Sequence, residues 1–293
     1  MRLYKTTITP ISSFATPLKG DTLFGQICWA IRYIYKEDRL NSLLQNYDTE
    51  PFLIVSDGFA SGYLPKPILP SALLNESLKD KKINRKKIWL NPSDLQAGNF
   101  QNAQKSSDIE YNFTKSISVK NSINYLKFCT DDSGAFSPYS LIEMSFSKQD
   151  IYFLLSDDFT LDELKTALKF VANGYGKKAS IGKGNFDFGD FEAVNFNENS
   201  KAFMTLSPAV LSDGDFIQSY YEPFTRFGKH GGNLTQNPFK APLLLADTAA
   251  VVVYSSPCNK QFIGKGIKGH STHAKSVHQG YAIVVATELH NES

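Results

Sequence analysis

What this chain can fold into is constrained first by the order in which its hydrophobic period changes. Residues 2–9, Arg-Leu-Tyr-Lys-Thr-Thr-Ile-Thr, alternate with period two and are rich in β-formers, which predicts a strand. After a loop over 10–20 the period lengthens. Leu23, Ile27, Ile31 and Ile34 fall on one helical face, behind Asp21 or Thr22 as N-cap. Residues 52–60 read as a second strand, and 139–146 and 151–155 as two more. Thr160 and Glu163 form a capping box for a second helix, whose buried stripe is Leu161, Leu164, Leu168 and Val171. Gly174 closes that helix as a left-handed residue, and 186–194 leads away as a strand. Strand, helix, strand, insertion, strand, helix, loop, strand is the split βαβ order, so residues 1–195 are expected to form a ferredoxin-like (RRM-like) α+β domain.

The interruption is residues 74–124, where the chain turns polar. Lys79, Lys81, Lys82, Arg85, Lys86 and Lys87 stand against Asp80, and Asn, Gln and Ser follow. A long insertion on a compact core, in part loosely held, is the expectation. Residues 196–293 are strand-rich and irregular, and are expected to form a second, degenerate ferredoxin-like domain. Its firmest strands are 202–206, 251–254 and 281–286, the last apolar throughout, as a central buried strand is.

Composition excludes several classes. No stretch is apolar for long enough to cross a membrane, and the N-terminus has no signal-peptide core. Cys28, Cys129 and Cys258 are odd in number and far apart, which argues for a reducing, cytoplasmic setting without disulfides or a zinc site. Charge is uneven. Between residues 226 and 278 there are seven Lys and Arg against Asp247 alone, while the remainder carries 24 bases against 28 acids. All five histidines also follow Lys229. This distribution predicts one face that meets an anion.

Four motifs carry cations to flexible backbone. The first is Gly174-Tyr-Gly-Lys-Lys-Ala-Ser-Ile-Gly-Lys-Gly184, the second Gly264-Lys-Gly-Ile-Lys-Gly-His-Ser-Thr-His273. Glycine permits close approach of a sugar-phosphate chain, successive N–H groups form an anion-binding concavity, and Lys177, Lys178, Lys183, Lys265 and Lys268 supply charge. The third, Thr16-Pro-Leu-Lys-Gly-Asp-Thr-Leu-Phe-Gly25, sets Lys19 and Thr22 at a helix N-terminus, where phosphate is favoured. The fourth, Tyr220-Tyr-Glu-Pro-Phe-Thr-Arg-Phe-Gly-Lys-His-Gly-Gly232, alternates aromatics with Arg226, Lys229 and His230, as single-stranded RNA binders do.

Other chemistries fit less well. Residues 264–269 match GxGxxG, but no helix follows, so a dinucleotide site is not expected. A nucleotide triphosphatase loop fails because His270 stands where lysine is required. Ser180 lacks the first glycine of a nucleophile elbow. His270, His273 and His278 lack a completing cysteine or carboxylate for metal. A metal-independent endoribonuclease with His230, His270 or His273 as general base stays open as the alternative.

Taken in order along the chain, Lys-Gly-Asp-Thr-Leu-Phe-Gly25, Gly174 to Gly184, Pro223-Phe-Thr-Arg-Phe-Gly-Lys-His-Gly-Gly232 and Gly280-Tyr-Ala-Ile-Val-Val285 resemble the RAMP superfamily of CRISPR proteins. Within it the resemblance is to the subunit that caps the crRNA 5′ tag in type III-A (Csm) effector complexes. It implies a non-catalytic RNA-binding scaffold with no cofactor, metal or small-molecule substrate. That subunit joins the large polymerase-like subunit to the backbone RAMP subunits. Carried onto this chain, the tag would meet Gly176, Lys177, Lys178, Ser180 and Lys183, with Lys19 and Thr22 nearby. Arg226, Lys229, His230, Lys265, Lys268 and His270 complete the expected RNA surface. Thumb-like insertions of the family suggest a similar role for 74–124.

Overall fold

A computed structural model describes residues 1–196, 199–212, 214–231 and 238–290. The fold is mixed α and β, strand-rich with few helices. Four elements of the first sheet and its two long helices follow the predicted order. They are β1 (Arg2–Pro10), α1 (Gly20–Leu44), β2 (Leu53–Val55), β3 (Gln149–Leu155), α2 (Leu161–Ala172) and β4 (Phe186–Phe188). The strands lie in the order β4-β1-β3-β2, each pair antiparallel, with β1 matching β3 from Arg2↔Leu155 to Ile8↔Gln149. The two short segments Phe59–Ala60 and Glu192–Ala193 extend this sheet.

The helices form for the reasons their spacing gave. Leu23, Ile27 and Ile31 are fully buried and Ile34 packs on the same core. In α2 Thr160 Oγ1 accepts from the Glu163 N–H at 3.2 Å and the Glu163 carboxylate accepts from the Thr160 N–H at 2.9 Å, so the capping box is closed. Two local expectations need correction, and α1 has a break that its spacing did not announce. Neither Asp21 nor Thr22 caps α1. Lys19 holds the N-cap position, and Asp21 is already helical. α1 also breaks at Lys36, where φ is +75°. Gly174 is not left-handed. It sits at φ 158°, outside the αL well but still a backbone conformation that side chains rarely adopt, and a Cβ there would also lie 2.8 Å from the Ala179 Cβ, so backbone and packing both call for glycine.

The second sheet comprises β5 (Ser200–Thr205), β6 (Val251–Cys258), β7 (Phe262–Ile267), β8 (His278–Thr287) and the edge segment Gln218–Tyr220. Strand β8 is buried along its whole length between β5 and β7. Its Gln279 is fully buried and bridges the sheets. The side-chain amide donates to the Val55 carbonyl at 2.8 Å and accepts from the Val55 N–H at 2.9 Å. Apolar residues of both sheets join in one core.

The polar stretch from 74 is better packed than its composition suggests. Leu74, Trp89, Leu90, Leu95, Phe100 and Tyr111 are buried, and Thr287 Oγ1 donates to the Leu95 carbonyl at 2.6 Å. Those residues are few and irregularly spaced, so they leave no period to read. Beyond 112 a two-stranded hairpin, Phe113–Lys120 with Tyr139–Phe146, does stand out, and its tip exposes Tyr125, Leu126 and Phe128. Among the described residues no helix is long and apolar enough to cross a membrane.

Candidate nucleic-acid interface

The start of α1 gathers Lys19, Asp21, Asp57, Arg226 and Asp247 at one place. Packing sets it there. A Cβ on Gly20 would fall 2.2 Å from the Val55 carbonyl oxygen, so only glycine lets the helix begin this close to β2. The Gly20 N–H donates to Asp57 Oδ1 at 2.7 Å, and Lys19 Nζ lies 2.8 Å from Asp57 Oδ2 and 2.9 Å from Asp247 Oδ1. Burial works against the Lys19 ammonium, but Asp57 and Asp247 outweigh it and hold its pKa above the ordinary value. The anion that a helix N-terminus favours is thus supplied internally, by Asp57.

Asp21, one residue on, is buried and accepts both Arg226 Nε at 2.6 Å and a second guanidinium nitrogen at 2.5 Å. His278 Nε2 lies 3.4 Å from Asp21 Oδ2, the oxygen that also accepts Arg226 Nε. Burial alone would raise the Asp21 pKa, yet His278 and Arg226 together drive it well below the carboxylate range. Thr22 is half-buried and donates to Asp21 at 3.3 Å. Arg226 therefore clasps the second half of the chain to the first.

The central glycine-lysine loop lies against residues 12–17. The Gly184 N–H donates to the Ser13 carbonyl at 3.0 Å, the Lys177 N–H to Thr16 Oγ1 at 2.9 Å, and the buried Tyr175 hydroxyl to the Pro17 carbonyl at 2.8 Å. Gly176, at φ +77°, approaches Thr16 so closely that a Cβ would stand 2.5 Å from its side chain. Within the loop the N–H groups of Ile181 and Lys183 both donate to the Lys178 carbonyl. The loop is consequently a folded platform, much of whose backbone is already satisfied. Lys183 is spent inward, with Nζ 2.6 Å from Glu143 Oε2 and 2.8 Å from Ser13 Oγ. Lys183, Ser118 and Ser13 together bring Glu143 down to a pKa of about 2. Lys178 extends over the Tyr139 ring, 4.3 Å from its centre, on the same hairpin. Lys177 and Ser180 are exposed. The platform thus presents Lys177, Lys178 and Ser180 beside one face of the 113–146 hairpin.

The second glycine-lysine motif is not a loop over its first half. Residues Phe262–Ile267 are strand β7, paired with β8. Its glycines serve packing. A Cβ on Gly266 would meet the Tyr47 carbonyl oxygen at 2.3 Å, and one on Gly264 the Gly280 carbonyl at 2.2 Å. Lys265 is an exposed strand residue opposite Gly280. Lys268 donates to Asp48 at 2.6 Å and to the Gln45 carbonyl at 2.9 Å.

The aromatic stretch divides. Pro223–Arg226 pairs with Leu243–Ala246, while Phe227 is exposed and Lys229 lies 4.5 Å over the Phe239 ring. His230 Nε2 is 2.5 Å from Ser271 Oγ, and its ring meets His273 edge-on at 4.8 Å. His270 is buried, with neither ring nitrogen partnered. Gly232, the last residue of that motif, lies outside the described residues. The structure thus groups most of the expected residues into three places, the α1 start with Arg226, the platform under the hairpin, and the histidine turn with Lys229, and leaves Lys265 on strand β7 and Lys268 against Asp48 outside them. Tyr139, Glu143, Asp57 and Asp247, which hold these places together, left no local signal in the sequence.

No protein-family model matches the chain, and no curated protein is significantly similar to it. Solved structures do match. A chain of a Csm1–Csm4 cassette in complex with pppApA aligns at 15% identity and a TM-score of 0.63, covering 100% of both chains. A chain of the same cassette in complex with AMPPNP aligns at 16% and 0.64, covering 99% of each. A chain of a Csm3–Csm4 subcomplex from the type III-A CRISPR-Cas interference complex aligns at 14% and 0.60, covering 98% of this chain and 100% of that one. Over essentially its full length, this chain has the fold found in those type III-A Csm assemblies, in keeping with the resemblance read from its motifs.

Proposed function

We propose that this protein is a non-catalytic RNA-binding scaffold subunit of a type III-A CRISPR effector complex, holding the repeat-derived 5′ tag of the crRNA. The observation that carries this reading is the full-length match to chains from two assemblies, Csm1–Csm4 and Csm3–Csm4, whose common component is Csm4. By the same reading it touches a large subunit on one side and a backbone RAMP subunit on the other. Residues 1–195 are its ferredoxin-like domain, supported by the antiparallel β4-β1-β3-β2 order with two helices. Residues 196–293 are a degenerate counterpart, with no helix among the described residues.

Its mechanism is holding. Lys177 and Lys178 neutralise phosphates on the platform, and the hairpin above them orders the strand. Lys19, Lys183, Arg226 and Lys268 act one step back, fixing the surfaces on which the strand lies. The test is purification of the native assembly, followed by sequencing of co-purified RNA and ultraviolet crosslinking. Short RNAs sharing a repeat-derived 5′ end, crosslinked at 177–180, are expected. An assembly without RNA overturns the reading. Incubation of the isolated chain with repeat RNA in EDTA tests the endoribonuclease alternative. A specific product lost in His230→Ala or His273→Ala would establish it.

A further inference from the structure

A cleft beside the broken helix lies apart from the central glycine-lysine loop and meets the second motif only at His273. The break at Lys36 turns α1, so that Phe24, Cys28 and Trp29 from its first part and Leu40 and Leu44 from its second line one cavity. Across from them stand His230, Lys240 and the turn 273–277. The cavity volume is 320 Å³, within the roughly 300–1,000 Å³ in which proteins hold small organic ligands.

The two walls differ in chemistry. The helix side is apolar and aromatic, and burial pushes the Cys28 thiol up to about 12, so it stays neutral. At the mouth Arg32 lies 5.3 Å over the Trp29 ring and takes Glu37 at 2.9 Å, which leaves that carboxylate neutralised. The facing side carries Lys240 and Lys275. Among the described residues no carboxylate forms an ion pair with Lys240, and burial, outweighing the more distant Asp21, holds its pKa below the ordinary value. His230 and His273 meet beside it. Behind them, His270 is 5.8 Å from His278, which faces the Asp21–Arg226 pair. Burial first, then Lys240, brings both His230 and His270 to about 4.

A flat aromatic wall opposite an unneutralised lysine, in one small cavity, suits a ligand with a heteroaromatic ring and an anionic tail. We infer that this cleft binds a nucleotide, with its base against Trp29 and its phosphate at Lys240, beside the His230–His273 pair. The ligand is either one unit of an RNA strand or a free nucleotide. The inference deepens the RNA reading above and rests on it only for the first of those sources. A phosphate beside His230 supplies a countercharge against the burial and the Lys240 repulsion that keep the ring neutral, so binding takes up a proton. Affinity is then unchanged above the ordinary histidine value of about 6.5 and rises as pH falls towards 4, by up to about tenfold per unit for each proton gained.

The experiment uses the full chain at fixed ionic strength. The probe is the methyl ester of AMP, whose single charge does not titrate in this range. The readout is tryptophan fluorescence, in which Trp29 reports because Trp89 is buried elsewhere. Quenching is expected, with affinity at least tenfold above that of adenosine or of methyl ribose 5-phosphate. Lys240→Met is expected to weaken binding about tenfold, and His230→Ala to flatten the rise at low pH. Lys275→Ala, at an exposed position, checks the charge contribution without risk to folding. Absence of quenching, or equal binding by wild type, Trp29→Leu and Lys240→Met, overturns the inference. Displacement of the probe by a single-stranded RNA octamer identifies a strand unit as occupant, whereas co-binding identifies a free nucleotide, and either supports the pocket. RNA binding by a chain that does not bind the probe removes the pocket and leaves the scaffold reading. Probe binding without RNA binding does the reverse.

Discussion

At the residue scale, two glycines eight or fewer positions from Lys177 separate backbone conformation from crowding. Gly182 and Gly184 both have φ near +80°, but a Cβ on Gly182 meets nothing within 4 Å, whereas one on Gly184 falls 2.1 Å from the Tyr175 carbonyl oxygen. Gly182→Ala is expected to cost only the left-handed strain, about 1–2 kcal/mol. Gly184→Ala adds a clash with backbone and is expected to cost several times that and to loosen the platform, as denaturant melts of the two variants will show. Glu143 gives a second prediction. Its pKa is depressed to about 2 from an ordinary 4.5, chiefly by Lys183. A depressed carboxylate contributes stability that is fully present above 4.5 and lost as pH falls towards 2. Glu143→Gln is therefore expected to lower the melting temperature at pH 6, with the gap to wild type closing by pH 2. A gap independent of pH would show that charge at Glu143 is not what holds the hairpin to the loop. The glycines were legible in the sequence as a cluster, but their separate jobs were not, because each job depends on which carbonyl lies opposite.

Among elements, those with a long uniform period were legible and those made by contact were not. Helices α1 and α2 were readable from one buried face, strands β3 and β8 from apolar runs buried on both faces, and β1 from its alternation of β-formers. Strand β7 was read as a loop because its glycines signal turns, although here they admit Tyr47 and β8. The break at Lys36 had no proline or glycine to announce it. Helix α1 yields the prediction at this scale. Ile27 is fully buried in the main core. Ile27→Ala is expected to cost about 2–5 kcal/mol. Ile27→Asp, which buries an unpaired carboxylate, is expected to abolish cooperative melting. A wild-type thermal transition in Ile27→Asp would mean that this face of α1 is not core.

For the whole molecule, the order of its motifs was legible and the state of its charges was not. Seven bases against one acid between 226 and 278 suggested a cationic face. In the folded chain Arg226 meets Asp21 from 205 residues away, and Lys19 meets Asp247 across 228. Such pairings have no local signature, so the sequence overstated the charge left for a partner. The structure sorts the lysines of the central loop accordingly, and salt dependence tests the sorting. An exposed lysine that neutralises a phosphate releases counterion, and its loss lowers the log–log salt slope by about 0.7 per single-strand contact. Lys183 is already neutralised by Glu143, so its loss removes a strut, not a contact. Lys177→Ala with Lys178→Ala is expected to reduce the slope for a single-stranded RNA by about 1.4 while leaving the melting temperature near wild type. Lys183→Ala is expected to do the opposite, lowering the melting temperature and leaving the slope within error. Titrations from 50 to 300 mM salt, paired with melts of the same preparations, distinguish the two. If Lys183→Ala lowers the slope as much as the double variant, the strand reaches the Glu143 side of the platform. If neither variant changes it, the RNA path lies elsewhere, and the exposed face of the loop is left for a protein neighbour.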